Sequence, residues 1–257
     1  MCLILIALNE HPDYPLILAA NRDEYFRRPT REAAYWEDAP GVLGGRDLEA
    51  NGSWLGMDRR GRIAAVTNVR EPPLKRTGLE SRGRLVADYL KNRIDPESYL
   101  QDVIRRRLHF DAYNLLVGIK TDLFFHTSRG DDYEKLDSGI HGISNGELNC
   151  DWPKVVGGKK ALLNVLNAGP MIEPDDLFAI LADTTAADDT ELPDTGIGTE
   201  LERNLSPIFI HMDGYGTRSS TVLTMDSNGD VVFCERNFSA VGTAIDTLRF
   251  EFTLESG

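Results

Sequence analysis

Cysteine is scarce in this chain. Three residues, Cys2, Cys150 and Cys234, are spread over 257 positions with no C-x-x-C pair, which excludes a disulfide framework, a zinc knuckle and covalent haem attachment. Long apolar runs are missing as well. The longest, residues 1–8, falls far short of the roughly 20 residues that span a bilayer. No Lys or Arg precedes it, and Asn9, Glu10, His11, Pro12 and Asp13 break it, so it makes a poor secretory signal. The sequence thus predicts no transmembrane helix and a cytoplasmic location. Positive charge is in deficit: 28 Lys+Arg stand against 41 Asp+Glu, a net charge of −13. A surface of that sign repels phosphate backbones and anionic membranes, so nucleic acid is not expected as a partner.

What is present is enough apolar residue, 41%, to fill a core. Without a Pro/Ser/Gly-rich linker, a repeat or a low-complexity tract, the chain reads as a single domain over residues 1–257. Two short apolar runs, 3–8 and 16–20, flank a turn-rich segment and predict a buried hairpin covered on both faces. Further strands are expected at 54–57 with 63–69, 114–119 with 123–127, and 219–225 with 230–235. The last pair is joined by Asn228-Gly229, which suits a tight two-residue turn. Helices are expected at 82–92, 96–108, 152–167 and 174–183. The third has Asp151 as N-cap and Val155, Val156, Leu162, Leu163, Val165 and Leu166 turned inward. Strands, then helices, then strands again indicate an α+β layered architecture. The acidic stretch 183–194 reads as a solvated loop, because its spacing is not that of an EF-hand. Nothing in the pattern calls for a metal or another cofactor.

Chemistry concentrates at a few positions. By place alone Cys2 is a small hydrophobe heading a buried strand. Removal of Met1, however, would leave one residue carrying both a thiol and a free α-amine, whose ordinary pKa of about 7.7 to 8.0 suits it to accept the thiol proton. Asn21-Arg22-Asp23-Glu24 follows the second strand directly. If the hairpin closes, Arg22 or Asp23 comes close to Cys2, where a guanidinium lowers a thiol pKa and a carboxylate can hold an ammonium. Asn51-Gly52 and Asn145-Gly146 could each aim an amide and a backbone N–H at an oxyanion, although such pairs are usually turns. Arg218 enters a small, hydroxyl-rich strand and needs a carboxylate or an anionic ligand. Arg22, Arg27, Arg28 and Arg31, interleaved with Tyr25 and Phe26, could meet a phosphate or propionate. Haem would need an axial ligand, but none of His11, His109, His126, His141 and His211 stands out for that role.

Taken together, Met1-Cys2, the Asn21-Arg22-Asp23-Glu24 tetrad, Gly44-Gly45-Arg46-Asp47, Ser53-Trp54-Leu55-Gly56, Thr67-Asn68-Val69-Arg70, Ile143-Ser144-Asn145 and Leu192-Pro193-Asp194-Thr195-Gly196 resemble the NRDE family, also called the transport and Golgi organisation family. The resemblance covers nearly the whole chain. That family is similar to N-terminal-nucleophile (Ntn) hydrolases of the choloylglycine hydrolase and penicillin V acylase type. It implies a four-layer αββα sandwich of two antiparallel sheets between helical layers. It also implies Cys2 as nucleophile, Arg22 and Asp23 as polarising neighbours, Asn145 as oxyanion donor and Arg218 as a pocket arginine, with Asn21, Glu24, Asn51, Trp54, Asn68 and Arg70 as ligand contacts. Two functions follow: a cysteine amidohydrolase acting on a small-molecule amide, or a non-catalytic binding and trafficking protein for haem, acyl-CoA or another amphipathic anion.

Overall fold

A computed structural model describes residues 3–71 and 79–255. In chain order the elements are β1 (Leu3–Leu8), β2 (Leu16–Tyr25), β3 (Thr30–Trp36), β4 (Ala39–Asp47), β5 (Leu55–Asp58), β6 (Arg62–Asn68), α1 (Gly83–Lys91) and α2 (Pro96–Arg105). Then come β7 (Tyr113–Ile119), β8 (Asp122–Thr127), β9 (Tyr133–Lys135), β10 (Gly139–Ile143), α3 (Pro153–Ala168), α4 (Pro174–Leu181) and α5 (Thr199–Asn204). The chain finishes with β11 (His211–Met212), β12 (Tyr215–Met225), β13 (Asp230–Phe238) and β14 (Ala244–Thr253). The fold is α+β with two antiparallel sheets, as expected. The chain gathers into two compact units: Met1–Arg27, Arg70–Pro72 and Ser138–Phe252 form the first, and Arg28–Val69, Pro73–Asp137 and Thr253–Gly257 the second.

The first unit is built on a sheet of order β10-β1-β2-β12-β13-β14, with β11 beside β12. The expected N-terminal hairpin forms, Leu3 facing Asn21 and Leu8 facing Leu16, and every residue of β1 is buried. Leu3, Leu5, Ile17 and Ala19 pack with Val155, Leu162, Leu177 and Leu181 of α3 and α4. Each fully buried Leu or Ile contributes roughly 1.5 to 3 kcal/mol by leaving water. α3 crosses the sheet so closely that a Cβ at Gly158 would meet the Leu5 side chain at 3.0 Å. The inward stripe of α3 is Val155, Gly158, Leu162 and Leu166, a strict i, i+3, i+4 progression. Val156 and Leu163, expected inward, lie about 100° of helical rotation off that stripe and are exposed. The N-cap is Trp152 rather than Asp151, and no side chain caps this helix.

The second unit holds the sheet β3-β4-β5-β6-β7-β8-β9. α1 and α2 lie on it through Leu85, Tyr89, Leu100 and Val103 against Val66, Leu115 and Val117. α2 starts where the sequence places it, with Pro96 at its first turn and the Asp95 carboxylate accepting from Ser98 N at 2.9 Å. It ends earlier than expected, giving way to a 3₁₀ turn over Arg107–His109.

The β12–β13 connection is not a two-residue turn. Its loop is longer, with Asp226 N donating to Asp230 O at 2.9 Å and Gly229 N to Asp226 O at 3.1 Å. Of the Asn228-Gly229 pair only Gly229 has positive φ, +86°, whereas the expected turn needs it at both positions. No helix of the described residues is long and apolar enough to cross a membrane.

Candidate active site

The sequence of β2 changes character along its length, from Leu-Ile-Leu-Ala-Ala to Asn-Arg-Asp-Glu, yet burial continues through Asp23. Its neighbour on one side is β1. On the other is β12, from the far end of the chain, in a register that sets Ser220 opposite Asn21, Ser219 opposite Arg22 and Thr217 opposite Asp23. Arg218 is the extra residue of a β-bulge between Thr217 and Ser219, a device that re-aims side chains at a sheet's functional end. Ile4 pairs with Ile143 at the end of β10, so Ser144 and Asn145 leave the sheet beside the start of β1. Arg22, Asp23, Ser219 and Asn145 are thereby gathered in the first unit around the end at which β1 begins. All four are buried. Cys2 lies outside the described residues.

Each of these side chains is held by its strand and its neighbours. Both polar atoms of the Asn21 carboxamide are engaged: Nδ2 donates to Leu181 O at 2.8 Å and Ile208 O at 2.9 Å, and Oδ1 accepts from Ser220 Oγ at 2.6 Å. It ties β2 to the segments around α4 and has no donor left for a ligand. Asp23 Oδ1 accepts from Thr217 Oγ1 at 2.7 Å, and the same hydroxyl accepts from Ile210 N at 2.9 Å. Asp23 Oδ2 and Ser219 Oγ are buried without a hydrogen-bond partner among the described residues. A buried carboxylate oxygen in that state favours a donor brought to it.

Asn145 sits in a loop closed by Asn149 N to Gly142 O at 2.8 Å and Gly142 N to Asn149 Oδ1 at 3.0 Å. Its carbonyl accepts from Arg70 N at 2.7 Å. The loop is close-packed at Gly146, where a Cβ would lie 3.1 Å from Cys150 Sγ and 3.2 Å from the Trp152 ring. Arg70 is ion-paired with Glu202 Oε2, and its guanidinium stacks 4.8 Å from the Trp152 ring centre. Glu202 Oε1 accepts from Thr195 N at 3.0 Å and from Thr195 Oγ1. This clamp joins the Asn145 loop, α5 and the Leu-Pro-Asp-Thr-Gly segment. Glu202 escaped the sequence reading because an acid two residues from Glu200, in the mostly polar run 199–204, reads as solvent-facing. The Thr195 that anchors it, seven residues earlier, is the signal that could have found it.

Arg218 turns to the outer end of the site, donating to Tyr25 O at 3.3 Å with its guanidinium 5.8 Å from the Phe26 ring. Burial lowers its pKa, and the Glu24 charge works in the opposite direction. Asn51, Trp54 and Asn68 belong to the second unit. Asn51 is an exposed turn residue with φ +56° whose carbonyl accepts from Arg46 at 3.1 Å. The Trp54 ring is buried so tightly on Gly45 that a Cβ there would lie 2.1 Å from it. Asn68 ends β6 opposite Tyr113, half-buried.

This fold is that of the Ntn hydrolases. The chain superimposes on a Caenorhabditis elegans N-acylethanolamine-hydrolyzing acid amidase ortholog with a TM-score of 0.51 at 14% identity, over 86% of this chain and 92% of that one. With a mutant of the conjugated bile acid hydrolase from Clostridium perfringens the TM-score is 0.51 at 9% identity, over 100% and 99% of the two chains. A family model described as Transport and Golgi organisation 2 matches residues 1–240, and the chain belongs to that family. It is 35% identical over 277 residues to the Bos taurus Transport and Golgi organization protein 2 homolog, covering 100% of both chains. The Homo sapiens homolog is 32% identical with the same coverage, and the Drosophila melanogaster protein is 27% identical over 94% of this chain and 93% of its own.

Proposed function

We propose that the protein is an N-terminal cysteine amidohydrolase acting on a small-molecule amide. One relationship carries this reading. Leu3, to which Cys2 is bonded, pairs with Asn21, and the next two residues of β2 are a buried Arg and a buried Asp whose Oδ2 meets no donor among the described residues. An N-terminal ammonium is a donor of the required charge. That two proteins of this fold bear the names of an amidase and a bile acid hydrolase supports the reaction class.

In the proposed reaction Met1 has been removed and the Cys2 α-amine takes the thiol proton. Sulfur attacks the amide carbonyl carbon, and the carbonyl electron pair moves to oxygen, where Asn145 and a backbone N–H donate to the oxyanion. Collapse restores the carbonyl and breaks the C–N bond, the α-ammonium handing its proton to the leaving amine. Water, deprotonated by the amine, then cleaves the thioester to the free acid and returns the thiol. Arg22 favours the thiolate electrostatically, and Asp23 orients the amine.

Intact-mass analysis for loss of Met1, followed by labelling with a thiol-directed amide or lactone probe, tests this. Labelling in the wild type and none in Cys2→Ala is expected. Retention of Met1 with no Cys2-dependent labelling removes the enzyme reading.

A second reading, binding and movement of an amphipathic anion such as haem or acyl-CoA, is favoured by the arginine–aromatic patch at the outer end of β2. There Tyr25 and Tyr215 pack edge to face at 5.1 Å, Arg27 lies 5.2 Å from the Tyr25 ring and Arg218 stands beside Phe26. Binding of haem or acyl-CoA that survives Cys2→Ala and fails in Arg27→Ala or Arg218→Ala would support it. A cytoplasmic location accompanies either reading, since the free thiols Cys150 and Cys234 suit a reducing compartment.

A further inference from the structure

The last strand, β14, is hydrogen-bonded to β13 and ends the order of the first unit's sheet. It is ten residues long, a long edge for a natural sheet, and such edges pair with other chains unless their side chains oppose it. Its side chains alternate. Thr247, Arg249 and Glu251 are exposed, while Leu248, Phe250 and Phe252 are half-buried on the other face, where Phe250 meets the Phe233 ring at 6.4 Å.

The order Leu248-Arg249-Phe250-Glu251-Phe252 is self-complementary about Phe250. If two copies of the strand pair antiparallel with a two-fold axis at Phe250, Arg249 faces Glu251 of the other copy twice. Leu248 then faces Phe252 twice, and Phe250 faces itself. Directly opposed residues in an antiparallel pair share a face, so the charged residues meet on one side and the apolar ones on the other. The neighbouring registers fail. Centring the axis on Arg249 or Glu251 opposes like charges, and a one-residue slip sets one copy's charged face against the other's apolar face. An edge protected against pairing would carry one sign of charge; this one carries both, spaced to match its own reversal. Arg249 Nε already donates to Glu251 Oε1 of the same strand at 2.6 Å, so pairing would join two such ion pairs into one four-membered network.

The geometry points to a homodimer formed by antiparallel pairing of β14 with β14 of a second copy, centred on Phe250, the two sheets becoming continuous. The interface is isologous, as a two-fold axis requires, and it places no demand on the chemistry at the other end of the sheet.

Sedimentation of the purified full chain over a range of concentrations tests the proposal. A concentration-dependent monomer–dimer equilibrium is expected. Arg249→Glu and Glu251→Arg should each weaken the dimer about tenfold or more, because each variant creates two like-charge pairs, and the double charge swap should restore it. A monomer at every concentration, single variants that leave the dimer unchanged, or a double swap that fails to rescue would each overturn it. Should a single variant unfold, oxidation of Phe250→Cys decides instead. The opposed Cα atoms lie at about 4.5 to 5.5 Å in such a pair, within disulfide reach. Phe250→Cys should therefore cross-link beyond the wild-type background, while Leu248→Cys, displaced four residues from its own copy, should not. Equal behaviour of the two variants overturns the proposal.

Discussion

Thr217 Oγ1 donates to Asp23 Oδ1 at 2.7 Å across two strands from opposite ends of the chain, while accepting from Ile210 N. One hydroxyl thus fixes the rotamer of the carboxylate whose other oxygen meets no donor among the described residues. Thr217→Val removes both contacts and strands two buried polar groups, at a cost of roughly 1 to 3 kcal/mol for each. Chemical denaturation should show that loss, and Thr217→Ser should recover most of it. Thr217→Val should also slow Cys2-dependent probe labelling.

Asn21 makes a contrasting prediction. Its carboxamide is spent on Leu181 O, Ile208 O and Ser220 Oγ. Asn21→Ala should therefore cost at least about 3 kcal/mol of stability, read as a lowered denaturation midpoint. A variant with unchanged stability and weakened ligand binding would contradict the structural role found for Asn21.

Glu202 neutralises Arg70 where both side chains are almost wholly covered, 3% and 8% exposed. Removing one partner of such a pair leaves a buried charge and costs about 3 to 5 kcal/mol. Glu202→Gln should lower Tm and increase hydrogen exchange in the Asn145 loop, which Arg70 holds through Asn145 O. Replacing both partners together should cost less than the sum of the single losses.

His126 is a source of acid sensitivity. Burial lowers its pKa below the ordinary 6.5, while the Asp132 carbonyl at 2.8 Å from Nδ1 works the other way. The unfolded chain then binds a proton at a pH where the folded one does not. Stability should be undiminished above about pH 6.5 and fall as the pH drops from there toward the lowered folded value. Denaturation at a series of pH values checks this, and His126→Gln should flatten the dependence in that window.

The continuous burial of β1 and β2 was legible because an unbroken apolar run has few other destinations than a sheet covered on both faces. The edge strands β3 and β14 went unread. Their exposed charged residues break any apolar run, and outside the sheet nothing distinguishes them from a solvated loop. The same limit hid Val156 and Leu163, since an apolar residue on a helix announces burial only once the face that meets the sheet is known.

By itself, the sequence singled out the residue types on which the proposed chemistry rests: a cysteine at position two, the Asn-Arg-Asp-Glu tetrad at the end of an apolar strand, and the asparagine of Ile-Ser-Asn. Tertiary structure alone decided how Asn21 and Asp23 are partnered. Asn21 and Asp23 look alike as polar residues on a buried strand, but partners 160 to 199 positions away engage both amide atoms of the first, while one oxygen of the second meets no donor among the described residues. Hydrogen bonds between strands depend on register across the sheet, and register between distant strands is set by packing of the whole unit, which no local pattern encodes.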